Sequence, residues 1–150
     1  MTEKRAQTTE ADDLLRRLDA ARVDLVQALQ ATDHESFAEN EPDGESVKRI
    51  TERTVDDINF YFGRLVARAL NLPQPPCLSR AEFSTLREAV MALQVAHRRF
   101  GNLLHDLRPE DLEKAADDPE LGNYTLRQVL ELAAAQYNQR AQEVHRIAGG

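Results

Sequence analysis

At 150 residues, 41% hydrophobic and 30% charged, with a mean hydropathy of −0.57, the chain has the size and composition of one globular domain over residues 1–150. A net charge of −7 argues against phosphate-backbone partners, no run approaches the roughly 20 apolar residues of a membrane span, and the polar stretch Met1 to Thr9 has no apolar signal core. A lone cysteine, Cys77, excludes an intrachain disulfide or a CxxC pair, so the expectation is a cytoplasmic protein without nucleic-acid or membrane partners.

Abundant Ala, Leu, Arg, Glu and Gln favour helices over strands, and the predicted fold is all-α. A first helix is expected from about Glu10 to about Thr32, with Leu14, Leu18, Ala21, Leu25 and Ala28/Leu29 inward and Arg16, Arg17, Asp24 and Gln27 in water. The loop Asp33 to Glu45 carries six acids, no Lys or Arg, and Pro42 and Gly44, which predicts a solvated connection. Ser46 is placed to cap a second helix reaching about Asn71, with Val47, Ile50, Thr54, Ile58, Tyr61, Leu65 and Ala69 on its inner stripe. Asn-Leu-Pro-Gln-Pro-Pro stops it.

Ser79 and Glu82 fit the S-x-x-E capping box and predict the start of a third helix. Its stripe would be Phe83, Leu86, Val90, Leu93, His97, Phe100, Leu104 and Leu107. Pro109 suits the first position of a short helical turn over Glu110 to Ala116. Thr125 and Gln128 form a second capping box opening a fourth helix with Leu126, Val129/Leu130, Ala133, Tyr137, Arg140, Val144 and Ile147 inward. Four amphipathic helices of this length can bury their stripes only against one another, which predicts a four-helix bundle.

Strong mechanistic motifs are missing: there is no HExxH, no ferritin-like ExxH, no glycine-rich phosphate loop and no GxSxG. Among His34, His97, His105 and His145 only His97 falls on an inward stripe. Eight residues separate it from His105, about 80° round a helix, so the two do not share a metal-binding face. His97 reads either as a core histidine satisfied by a neighbour or as a functional group. Cys77 and the tyrosines Tyr124 and Tyr137 read more simply as loop and packing residues than as reactive groups.

Two segments carry more information. Gly44-Glu-Ser-Val-Lys-Arg-Ile-Thr-Glu-Arg-Thr54 resembles the opening of the second helix in the DinB-like superfamily, where Gly-Trp-Ser-Val leads into a helix bearing a metal-binding histidine. Gly122-Asn-Tyr-Thr-Leu-Arg-Gln-Val-Leu and its continuation to Arg140 resemble that superfamily's last helix, which carries two histidines four residues apart. With the first helix, the acidic loop and Arg108-Pro109-Glu110 in the matching order, the likeness covers nearly the whole chain. It implies a DinB-like four-helix bundle with a short helical turn between the third and fourth helices. It also implies a homodimer and, in many members, a divalent metal held by three histidines; some members are thiol-cofactor-dependent transferases, isomerases or hydrolases.

At the three histidine positions this chain has Arg53, Gln136 and Arg140, and Glu45 replaces the tryptophan. Guanidinium has no lone pair for a metal and an amide is a poor transition-metal ligand, so no metal and no cofactor are expected. Gln136 and Arg140 lie one turn apart, and the family geometry would bring Arg53 opposite them. Two guanidiniums about 5 Å apart repel by about 3 kcal/mol at an effective dielectric near 20. Either Asp56 or Asp57, together with Glu143, neutralises them internally, or Arg53, Gln136 and Arg140, with His97, bind a small acidic ligand. The function expected is a binding or interaction module. The alternative is an enzyme of the DinB-like type, working without the histidine triad or holding metal through unrelated ligands.

Overall fold

The computed structural model describes residues 9–42, 44–73 and 79–149; Cys77 lies outside them. Helix α1, Glu10–Gln30, begins where the Thr9 hydroxyl accepts from the Asp12 amide at 3.0 Å, with Glu10, Asp12 and Asp13 set against the positive end of the helix dipole. Leu14, Leu18, Ala21, Leu25, Ala28 and Leu29 are all buried, as the spacing predicts. The acidic loop that follows is less free than its composition suggests. Phe37 is fully buried, and its carbonyl accepts from the Lys48 amide at 2.9 Å, so one aromatic anchors the loop to the next helix.

Helix α2 starts behind Ser46, whose hydroxyl accepts from the Arg49 amide at 3.0 Å. It runs as Val47–Asp57, passes through a π turn at Ile58–Phe62, and finishes as Gly63–Ala69. The wider turn moves the inward position by one residue: Phe62 is buried, whereas Tyr61, expected on the stripe, is half-buried. A Schellman motif closes the helix, with the Leu72 amide donating to Ala67 at 2.8 Å and the Asn71 amide to Arg68 at 3.3 Å. Asn71 takes the left-handed conformation this requires, with φ of 55°.

Residues Ala81 to Phe83 do not begin the third helix. Two α2 carboxylates one turn apart take their amides, Asp56 from Ala81 at 2.7 Å and Glu52 from Phe83 at 2.9 Å, and hold the segment extended. The expected box at Ser79 and Glu82 is therefore replaced by an N-cap at Thr85, whose hydroxyl accepts from the Glu88 amide at 3.1 Å while the Glu88 carboxylate accepts from the Ser84 amide. Helix α3 is Leu86–Leu103, shorter at both ends than the spacing suggested. Of its expected stripe, Leu86, Leu93, Phe100 and the neighbouring Phe83 and Leu104 are buried, whereas Val90, His97 and Leu107 are half-buried.

A 3-10 turn, Pro109–Glu113, leads to strand β1, Ala115–Asp118, which pairs antiparallel with β2, Gly122–Thr125. This hairpin corrects the all-α expectation. Its corner is built on Asp118, whose fully buried carboxylate accepts from the Glu120 and Leu121 amides at 2.8 and 3.1 Å and pairs with Arg64 and Arg68 of α2 at 2.7 and 2.8 Å. A strand-disfavouring residue is thus fixed by partners some fifty residues away, contacts that local sequence does not reveal. Helix α4, Leu126–Gly149, opens with the predicted reciprocal cap: the Thr125 amide donates to the Gln128 side chain at 2.9 Å, and the Gln128 amide to the Thr125 hydroxyl at 3.2 Å. Among the described residues the architecture is four helices plus one small hairpin. α1 packs chiefly on α4, and one hydrophobic cluster draws on all four helices.

Candidate functional site

α2 and α4 carry the three positions singled out in sequence, and each finds a carboxylate of the same chain. Arg53 is paired with Glu45, which stands just before the helix. Gln136 donates through Nε2 to Asp57 at 2.8 Å. Arg140 faces Glu143 through Nη1 at 3.5 Å. Two of the three partners, Asp57 and Glu143, are among those expected, although Asp57 serves Gln136 instead of Arg53. Asp56 is used elsewhere, on the Ala81 amide. Sequence reasoning missed Glu45 as a partner because it precedes α2, eight residues from Arg53 and outside the helical pair spacing.

Burial differs sharply across the set. Arg53 keeps over a third of its side chain in solvent, whereas Arg140 is only 9% exposed. Among the described residues, Arg140 Nε and Gln136 Oε1 are buried without a hydrogen-bond partner. Each such atom costs on the order of 1–3 kcal/mol. Gln136 and Asp57 line a groove of about 420 Å³ with Tyr61, Phe62, Leu132 and Gln139. Glu45 and Glu143 line a larger cleft of about 660 Å³, closed by Glu41, Pro42, Arg146 and Ile147. Glu45 and Glu143 therefore face the larger opening and Asp57 the smaller one.

His97 belongs to a different constellation. Its Nδ1 lies 3.1 Å from the fully buried Tyr137 hydroxyl, and its Nε2 lies 3.8 Å from Asp19. Arg22 bridges α1 and α3, bonding Asp19 and, at 2.8 Å, the Gln94 side chain. Burial, helped by the Arg22 charge and opposed by Asp19, pulls the imidazole down to a pKa of about 4, so it is neutral at physiological pH. Burial raises the Tyr137 phenol, which stays protonated and can donate to a neutral imidazole nitrogen. Tyr61, at the π turn, meets the Tyr124 hydroxyl at 2.9 Å and is pushed up to about 12 by burial and by that neighbour. None of these contacts brings His97 to Arg53, Gln136 or Arg140.

The donor set at the three positions does not fit a divalent metal. Two members are guanidiniums without an available lone pair, and the third offers a single neutral amide oxygen, a poor transition-metal ligand. Among the described residues no three His, Cys, Asp or Glu side chains gather as a metal-binding group. No helix of the described chain is long and apolar enough to cross a membrane.

Neither a scan of family models nor a search of curated proteins gives a match. Among solved structures the chain is similar to YfiT from Bacillus subtilis, described as a probable metal-dependent hydrolase with an unusual four-helix bundle topology. The TM-score is 0.68 at 16% identity, over 95% of this chain and 91% of that one. At that identity the likeness is one of fold, and it supports a four-helix-bundle fold like that of YfiT for this chain.

Proposed function

We propose that this chain is a binding or interaction module on a DinB/YfiT-like bundle, and that an internal ion-pair network stands where related bundles hold a metal. The observation carrying this reading is that Arg53, Gln136 and Arg140 are each engaged by a carboxylate of the chain itself, Glu45, Asp57 and Glu143. Glu45 also lies 4.0 Å from Arg49, so the three carboxylates face three guanidiniums and the charges balance within the chain. The enzyme reading has less support. Among the described residues His97 meets a buried phenol through Nδ1 and the Asp19 carboxylate at 3.8 Å through Nε2.

One observation favours a second reading, a small acidic ligand. Arg140 Nε has no partner, and its Nη1 is held only loosely by Glu143. A small carboxylate or phosphate entering here would displace Glu143 and give the guanidinium a bidentate partner.

Two measurements test both readings. Elemental analysis of tag-free protein is expected to find no stoichiometric zinc, nickel, manganese or iron; close to one ion per chain, retained against a weak chelator, overturns the proposal. Thermal melts in sulfate, phosphate and chloride, on wild type and Arg140→Gln, decide between network and ligand. With an internal network the two proteins respond alike to each anion and the variant melts lower. An anion-specific increment present only in wild type establishes the ligand site.

A further inference from the structure

The outer side of α3 carries an apolar ridge that the bundle does not cover. Met91 is 60% exposed and Val95 44%, one helical turn apart on the same ridge. With Val55, Phe83, Ala92 and Ala96 they line a mostly apolar groove of about 350 Å³, to which Asn59, Ser79 and Arg99 add polar groups. Exposed methionine and valine in a chain of this size are ordinary when isolated. Here they are adjacent and border a concave apolar surface.

The charge around the ridge runs against the rest of the molecule. The chain as a whole is −7, yet residues 79–103 hold four arginines, Arg80, Arg87, Arg98 and Arg99, against two glutamates, Glu82 and Glu88. Arg87 lies four residues before Met91 and Arg99 four after Val95, so the ridge reads Arg87, Met91, Val95, Arg99 at successive turns. All four arginines are exposed, and among the described residues no carboxylate forms an ion pair with any of them. Glu88 is turned onto the Ser84 amide at 3.1 Å, and Arg80 stacks over Phe60 at 4.2 Å. The neighbouring α2 acids are also committed, Glu52 to Lys48 and the Phe83 amide, Asp56 to the Ala81 amide.

We infer that this groove docks an amphipathic helix of a partner protein, one presenting two apolar residues a turn apart with acidic residues flanking them. The apolar pair would lie between Met91 and Val95 and the Phe83 wall, and the acids would meet Arg87 and Arg99. This is the helix-in-groove mode, read through anchors at helical spacing. A second copy of this chain is the poorer occupant. Symmetric pairing across the ridge sets Arg87 of one copy against Arg99 of the other in the antiparallel sense, and like against like in the parallel sense. Each arrangement buries repulsion with the apolar contact. An acidic helix turns the same four charges into attraction and speeds encounter.

The probe is a pair of synthetic helical peptides of about 16 residues sharing one central pair of leucines four apart, flanked by glutamates in one and lysines in the other. Amide chemical shifts of the labelled full chain are followed during titration. The glutamate peptide is expected to bind, to shift amides of α3 and the Ala81–Phe83 segment, and to weaken at least tenfold between about 50 and 300 mM salt. Arg87→Glu/Arg99→Glu, at exposed positions that leave the core intact, is expected to lose the glutamate peptide by at least tenfold and to gain the lysine peptide. Equal binding of both peptides, shifts elsewhere on the surface, or an unchanged preference in the double variant would overturn the inference. So would sedimentation showing a micromolar dimer that the double variant abolishes, since that result gives the ridge to a second copy.

Discussion

Acid should weaken this fold through His97 before it reaches the carboxylates. In the unfolded chain the imidazole titrates at its ordinary 6.5, whereas in the bundle burial beside Tyr137 and Arg22 holds it at about 4. The sign follows from proton uptake: as pH drops below 6.5 the unfolded state binds a proton that the folded state refuses, so stability falls toward pH 4. Above the unfolded value the histidine costs nothing. The same linkage gives a loss of about 2 kcal/mol by pH 5 and a limit of about 3 kcal/mol for a shift of this size, at about 1.4 kcal/mol per unit. Glu52 and Asp111 are carboxylates pulled below their ordinary range. Their contribution is present above the unfolded carboxylate value and is lost only as pH falls through the lower folded values. Urea melts of wild type and His97→Gln at pH 7.5, 6 and 5 separate the two effects, because the variant keeps the carboxylates and a hydrogen-bonding side chain for Tyr137. The stability difference between wild type and variant should shift by about 2 kcal/mol against wild type from pH 7.5 to 5. Parallel curves for the two proteins would refute the account of a buried neutral imidazole.

Leu93 is fully buried on α3, so Leu93→Ala should cost about 2–5 kcal/mol through lost burial and a residual cavity, read as a lower urea midpoint with unchanged slope. A near-neutral result would mean that α3 does not present this face to the core. Asp118→Asn should remove the charge that holds Arg64 and Arg68 to the hairpin, so amides of 115–125 should lose hydrogen-exchange protection before those of α1 and α4. Loss of protection spread evenly over the chain would show that the hairpin opens only with the whole bundle.

The elements that were legible in sequence are those whose cause lies within one or two helical turns. The inward leucines of α1 announce themselves by spacing, and the Thr125–Gln128 box is self-contained, needing only two residues three apart. The Ser79–Glu82 box has the same local grammar and fails because Asp56 and Glu52, more than twenty residues earlier, draw the backbone of Ala81 and Phe83 straight. A second Thr-x-x-Glu six residues on then takes the helix start. The hairpin was hidden for a related reason. Asp117 and Asp118 weigh against strand on propensity, and the two α2 arginines that make a buried Asp118 tolerable are invisible locally; Gly122, at φ 116°, was the available hint. The same division runs through the candidate site. Glu143, one turn from Arg140, could be named in advance, whereas Glu45 could not be assigned to Arg53, because a loop residue's direction depends on where Phe37 pins the loop. Arg140, only 9% exposed, would carry an uncompensated buried charge without Glu143 beside it, and the half-buried Arg53 and Gln136 likewise meet Glu45 and Asp57. Two of these carboxylates stand on the helices and one at the loop's end, so the polar side chains on α2 and α4 are satisfied within the chain, and the bundle tolerates them beside its apolar core.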